Sequence, residues 1–286
     1  MFKVIKVALS VMAITMGVVF TVALTVTYLF NQMVIDEVRG LLEGKKEYTK
    51  DIIRREDVAG LPLPVQKWLE RSNVIGREPV RTVRLEQKGF LRTKADQPWM
   101  PMQAEQYISP DEPGFVWKAN IETAPLLYLV GRDKYQNGKG SMLIKFLALV
   151  PVVDSKGPEI DQGTLLRYLG ECIWVPSAVL NEHITWEEVD GNRAKATMSY
   201  GGVTASGTFT FDEKGDVIQF SARRYMENNG EYRLEDWVCV VKGYKEFQGI
   251  RVPNQCSIVW KLKSGDFEWF RLEVTDIVYD QALVEP

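Results

Sequence analysis

The sequence predicts a mainly β, α+β fold: a large curled antiparallel sheet, or half-open barrel, closed by one long helix, with an N-terminal transmembrane helix in front of it. Three observations carry this expectation. Apolar residues alternate at period two through most of the chain after Val80, and short turn sequences separate the alternating runs. A long helical pattern inside this region occurs only between Val150 and Leu180. From Val7 to Phe30 the sequence carries no charge, about 24 residues, which is enough to cross a bilayer's hydrocarbon core.

Taken in order, residues 1–31 read as an uncleaved signal anchor. The apolar run ends in Thr-Val-Thr-Tyr-Leu-Phe, with neither a small-x-small cleavage pattern nor a lipobox cysteine. Lys3 and Lys6 lie on one side, and Asp36 and Glu37 precede the first basic residue, Arg39, on the other. This asymmetry favours a cytoplasmic N-terminus and an extracytoplasmic C-terminal domain in the cell membrane. Residues 32–60 read as a helical stalk with a sparse apolar series, Val34, Val38, Leu41 and Leu42, interrupted by Gly40 and Gly44. Residues 61–286 form the β domain. It opens on a short helix at Leu61-Pro-Leu-Pro-Val65, with Pro64 in the first turn, where a missing N–H costs no bond, and with Trp68 and Leu69 docking it.

The strands begin with Val83, Leu85, Gln87, Gly89 and Leu91 facing one way and Arg84, Glu86 and Lys88 the other. Further runs follow at residues 103–109, 115–121, 127–135 and 141–149, the last two joined across Asn137-Gly138. After the helix they resume at 194–200, 203–211, 217–225, 232–241, 252–262 and 267–279. Connections this short exclude a parallel sheet, whose crossovers need about a dozen residues. About ten strands in one antiparallel sheet must curl. The helix, expected from Asp161 to about Ile173 and acting as a plug over residues 161–175, presents Leu165, Leu169 and Cys172 on one face. Asp161 is the expected N-cap, DSKGPEID (154–161) the expected loop before it, and Pro176 the stop.

The chemistry is mostly exclusion. A net charge of −3 leaves no basic surplus for nucleic acid. His183 is the single histidine and no G-x-S-x-G surrounds any serine, so no hydrolytic triad is expected. One histidine and three scattered cysteines give no zinc spacing, and the carboxylates Asp154, Glu159 and Asp161 lack the EF-hand alternation. No catalytic residue, metal or cofactor is assigned. Cys239 and Cys256 lie on two runs that could form a hairpin and bring them face to face.

What remains is binding. Arg167 and Glu171 share a helix face, so inside a curled sheet they must find partners there, with Arg132, Asp133 and Glu105 as candidates. Alternatively Arg132 and Arg167 grip an anionic head group above an apolar cavity lined by Phe115, Trp117, Leu165, Leu169 and Trp174. The candidate ligand-binding set is Glu105, Tyr107, Trp117, Arg132, Asp161, Arg167, Leu169, Glu171 and Trp174.

The motifs Ala104-Glu-Gln-Tyr107, Gly131-Arg-Asp-x-Tyr135, Gly157-Pro-Glu-x-Asp-Gln-Gly163, Arg167-Tyr-Leu-Gly-Glu171 and Trp174-x-Pro-x-Ala-x-Leu180 stand between Leu61-Pro-x-Pro-Val65 and Gly265-Asp-Phe-x-Trp269. Together they resemble an uncharacterised bacterial membrane-anchored family of unknown function, over essentially residues 61–280. More distantly, the helix-plugged sheet resembles the LolA and RseB type of periplasmic lipoprotein carrier and sensor, and that resemblance implies acyl chains held in the concavity. The expected function is therefore binding of a lipid, acyl chain or lipoprotein at the membrane surface. An envelope enzyme using Glu105, Asp161 and Arg132, and a non-catalytic scaffold in an envelope complex, are the alternatives.

Overall fold

The computed structural model describes residues 2–43, 51–228 and 230–280. Among them, thirteen strands form one antiparallel sheet in the order β6-β5-β4-β3-β2-β1-β13-β12-β11-β10-β9-β8-β7. The strands are β1 Val83–Leu91, β2 Met100–Ser109, β3 Gly114–Ala124, β4 Leu127–Gln136, β5 Lys139–Phe146, β6 Val150–Lys156, β7 Ile184–Asp190, β8 Arg193–Tyr200, β9 Val203–Phe211, β10 Val217–Asn228, β11 Glu231–Phe247, β12 Ile250–Leu262 and β13 Gly265–Tyr279. One of them, β6, was not expected, and β7 begins where His183 reads as the entry to a strand. β6 occupies residues assigned to a loop, and its Pro151, Asp154 and Lys156 suit an edge strand rather than an alternating core strand. β7, at the other edge, is similarly polar, with Glu187, Glu188 and Asp190.

The helices are α1 Phe2–Leu42, α2 Arg55–Val58, α3 Leu63–Arg71 and α4 Pro158–Glu171. α4 lies on the concave face, where Leu165, Leu166, Leu169 and Cys172 join the inward residues of the strands in the main core. The sheet comes close because Gly170 offers no side chain: a Cβ there would stand 2.9 Å from the Phe220 ring. α4 starts earlier than expected. Gly157, at φ 121°, precedes it, Pro158 is its first residue, and Asp161 lies inside the first turn. Asp161 caps a strand instead, accepting Gly140 N–H at 2.7 Å and Lys139 Nζ at 2.9 Å. Beyond Glu171 the chain tightens into 3-10 turns, Cys172–Trp174 and Pro176–Leu180.

α1 is long and apolar enough to cross a membrane. Its C-terminal part does not stand free as a stalk. Phe30, Val34, Val38 and Leu41 pack on the convex face against Val116, Val130, Leu143 and Ala148, forming a second core. Glu37 is held there by Arg132 Nε at 3.1 Å and Lys134 Nζ at 3.0 Å. Residues 44–50 of the expected stalk, including Gly44, and residues 281–286 of the expected β domain lie outside the described residues.

The two ends of the curl are unlike. At the closed end, Arg71 of α3 and Arg251 of β12 both donate to the buried Asp216 carboxylate, and Trp68 stacks on Phe209. At the far end of β9 from Asp216, the β4–β5 tip meets the β8–β9 tip: Tyr135 OH donates to Tyr200 O at 3.1 Å. Gly138 (φ 78°) and Gly201 (φ 59°) are pressed backbone to backbone. A Cβ on Gly138 would fall 2.1 Å from Gly201 O. Gly138→Ala is therefore expected to destabilise the protein by about 1–3 kcal/mol from backbone strain alone. Thermal unfolding of the full chain in mild detergent checks this, and an unchanged midpoint would contradict the contact.

Candidate functional site

Alternation along each strand sorts the candidate residues by face, because neighbouring side chains point to opposite sides of a sheet. Glu105, Tyr107 and Arg132 point to the convex face. Glu105 accepts from Arg84 Nε and, at 2.8 Å, from Tyr107 OH. Burial, then the Glu105 charge, pushes the Tyr107 phenol up to about 12. Arg132 donates to Ser141 O at 2.8 Å and to Ser141 Oγ at 2.6 Å, besides its bridge to Glu37. Arg132 and Arg167 thus lie on opposite faces of the sheet and do not grip one head group together. Glu105 and Arg132, facing outward, do not converge with Asp161, which is on α4 inside the curl. Leu169 and Trp174 are fully enclosed in the core, Trp174 donating to Pro253 O at 3.0 Å. Neither lines an open surface, and the same holds for Phe115 and Leu165.

Trp117, Arg167 and Glu171 do come together on the concave side. Arg167 NH1 donates to Asp133 Oδ2 at 2.6 Å and Arg167 Nε to Glu171 Oε1 at 2.7 Å. Its guanidinium lies 4.8 Å from the Phe115 ring centroid and 5.0 Å from that of Trp117. Gln106 Nε2 donates to Glu171 Oε2 at 2.6 Å, and Trp117 Nε1 to Gln87 Oε1 at 2.9 Å. Burial opposes the charge on Arg167, but the two carboxylates win and its pKa is raised. Asp133 Oδ1 and Gln87 Nε2 are buried without a partner among the described residues.

Beside this cluster lies Arg224 of β10, its Nε 3.5 Å from where a Cβ on Gly163 of α4 would be, and its guanidinium 5.2 Å from the Trp237 ring centroid. Burial pulls its pKa down to about 10; Asp133 and Glu171 attract it through space, and Arg167 repels it. Trp237 Nε1 is buried without a partner among the described residues. Beyond Arg224, away from α4, the concave floor is lined by half-buried Leu91, Met100, Leu129, Met226 and Leu262. The residue missed from the sequence is thus Arg224. Its signal was the period-two series Phe220, Ala222, Arg224, Met226, which sets a charge among inward positions.

Open grooves exist on the convex face as well. One of about 550 Å³ is lined by Lys88, Gln103, Asn120, Lys242, Gln255 and Arg271, and one of about 460 Å³ by Arg84, Glu86, Glu105 and Lys118. Several of their charges are already matched, Lys88 with Glu273 at 3.3 Å and Arg84 with Glu86 at 2.9 Å. Cys239 and Cys256 are buried free thiols. Their register sets them diagonally, opposite Ile258 and Val241 respectively, and on this diagonal the two side chains do meet, as hydrogen-bonded thiols.

The chain belongs to a family of unknown function, DUF6544, whose model matches residues 51–272. No curated protein sequence matches it. Two solved structures are similar in backbone layout. One is an outer membrane lipoprotein-sorting protein domain from Vibrio parahaemolyticus, with TM-score 0.43 and 9% identity over 72% of this chain and 88% of that one. The other is a LolA superfamily protein from Nitrosomonas europaea, with TM-score 0.34 and 10% identity over 77% of this chain and 94% of that one.

The two arginines predict opposite stability effects. Arg167→Met strands Asp133 and Glu171 and should cost about 3–5 kcal/mol. Arg224→Met removes a half-buried charge that no carboxylate among the described residues hydrogen-bonds and should stabilise by about 0.5–2 kcal/mol. Unfolding midpoints of the two variants measured side by side check the sign of each.

Proposed function

We propose that this protein is a single-pass, membrane-anchored, extracytoplasmic binder of a lipid or other acyl-chain amphiphile, taken up in the uncovered end of the concave face. Residues 1–31 act as the anchor, and the charge asymmetry about α1 supports a domain outside the cytoplasm. The observation that carries the reading is the join between two surfaces. A half-buried apolar floor, Leu91, Met100, Leu129, Met226 and Leu262, leads to Arg224, a cation that no carboxylate among the described residues hydrogen-bonds. An acyl chain suits the floor, and an anionic or strongly polar group suits the Arg224 guanidinium beside the unpartnered Trp237 Nε1. Of the residues expected to bind, Trp117, Arg167 and Glu171 fit this role by forming the wall behind Arg224. Glu105, Tyr107, Arg132 and Asp161 serve the architecture.

Native mass spectrometry of the full chain released from membranes in mild detergent, with organic extraction, tests the reading. A stoichiometric lipid is expected. Met226→Asp should abolish it, because a carboxylate would then face the acyl chain. Arg224→Met should remove preference for anionic over neutral lipid while leaving the fold intact. An apo mass that takes up neither added fatty acid nor phospholipid would overturn the proposal.

A further inference from the structure

The open end of the curl is also the end at which α1 leaves the domain. Gln136, at the closed end of β4, donates to Gly40 O at 2.9 Å, and Tyr128, at the open end of β4, lies 3.2 Å from Thr27 Oγ1. Followed backward, the helix therefore runs along β4 toward the open end and projects beyond it. The residues that project are apolar and exposed, among them Val18, Phe20, Val22 and Leu24, with Tyr28 and Leu29 exposed at the point of exit. An exposed tyrosine there is what a helix leaving hydrocarbon for the interface carries.

Two hairpin tips stand at the same end. In the β3–β4 tip, Leu126 is 94% exposed and Leu127 is exposed; in the β5–β6 tip and the strand after it, Leu149, Val150 and Val152 are 52–55% exposed. Leu126 also adopts φ 65°, in the left-handed region that favours glycine or asparagine. A large apolar side chain held in that conformation and in full contact with water has no folding rationale. It has one if the tip is not in water.

We infer that these two tips insert into the headgroup–acyl boundary of the bilayer crossed by α1, so that the uncovered concave face opens directly onto that leaflet. The inference rests on the reading of α1 as a membrane span. The occupant is the lipid surface itself, because the apolar tips lie alongside the apolar helix that emerges between them and the rest of that surface. Glu37, clamped by Arg132 and Lys134, fixes the helix to the sheet and so holds the tips at one height relative to the span.

Single cysteines carrying an environment-sensitive fluorophore, in full-length protein reconstituted into phosphatidylcholine vesicles, test this. The native cysteines 172, 239 and 256 are buried and leave a low background. Leu126→Cys and Val150→Cys should show blue-shifted emission and stronger quenching by shallow than by mid-chain nitroxide lipids. Val18→Cys should be quenched by the mid-chain lipid, and Glu213→Cys, at the closed end, by neither. If Val18→Cys is quenched but the tip probes behave like Glu213→Cys, the docking inference is overturned and the span survives. If Val18→Cys is not quenched, the span reading fails and the inference falls with it.

Discussion

A sheet of thirteen twisted strands has more concave surface than one short helix can cover, and the rest of the molecule follows from that mismatch. α4, with 14 residues, is about 21 Å long. β13, with 15 residues, is about 50 Å long. The helix fills one end of the curl and not the other. At the filled end, aromatic packing, α3 and the Asp216 clamp produce a dense core. At the other end, inward-facing leucines and methionines have no helix to pack against and stay half-buried.

The join between these two regimes is electrostatic. α4 has a polar side, Arg167 and Glu171, which faces the sheet rather than solvent. The sheet answers with Asp133 and Gln106, so that every formal charge of the triad is hydrogen-bonded. Buried ion networks of this type seldom add stability over a hydrophobic alternative, whereas removing one partner alone leaves a stranded charge. Arg224 is the departure from this bookkeeping. It is a second cation beside two carboxylates already engaged with Arg167, and its pKa is lowered chiefly by loss of solvent, with repulsion from Arg167 adding to that. Where local consistency fails in an otherwise consistent structure, function is the usual reason.

The fold was legible in the sequence because period-two alternation and tight turns leave few topologies, and a single amphipathic helix leaves one place to put it. The edge strands were less legible. β6 carries a proline and charges and β7 carries three carboxylates, which discourage further pairing, and those residues erase the alternation that announces a strand. Within the site, the Arg167–Glu171 pair and the inward Trp117 were readable from helical and strand periods. The error over Arg132 came from treating it with its neighbour Asp133 as one partner group, although adjacent strand residues point to opposite faces. The docking of α1 was legible only in part: Val34, Val38 and Leu41 form a helical stripe, but nothing local says that its counterpart is the convex side of a sheet.

The meeting of Gly138 with Gly201 has a mechanical consequence. Among the described residues no hydrogen-bonded ladder joins β6 to β7, so the half-barrel is a rolled strip whose seam is pinned near one end by two glycine backbones and a tyrosine hydroxyl. A strip pinned in this way can widen at its free end by changing twist alone, without breaking a single interstrand bond. The width of the free end is thus set by the twist of the strip, whereas the other end is set by packed side chains.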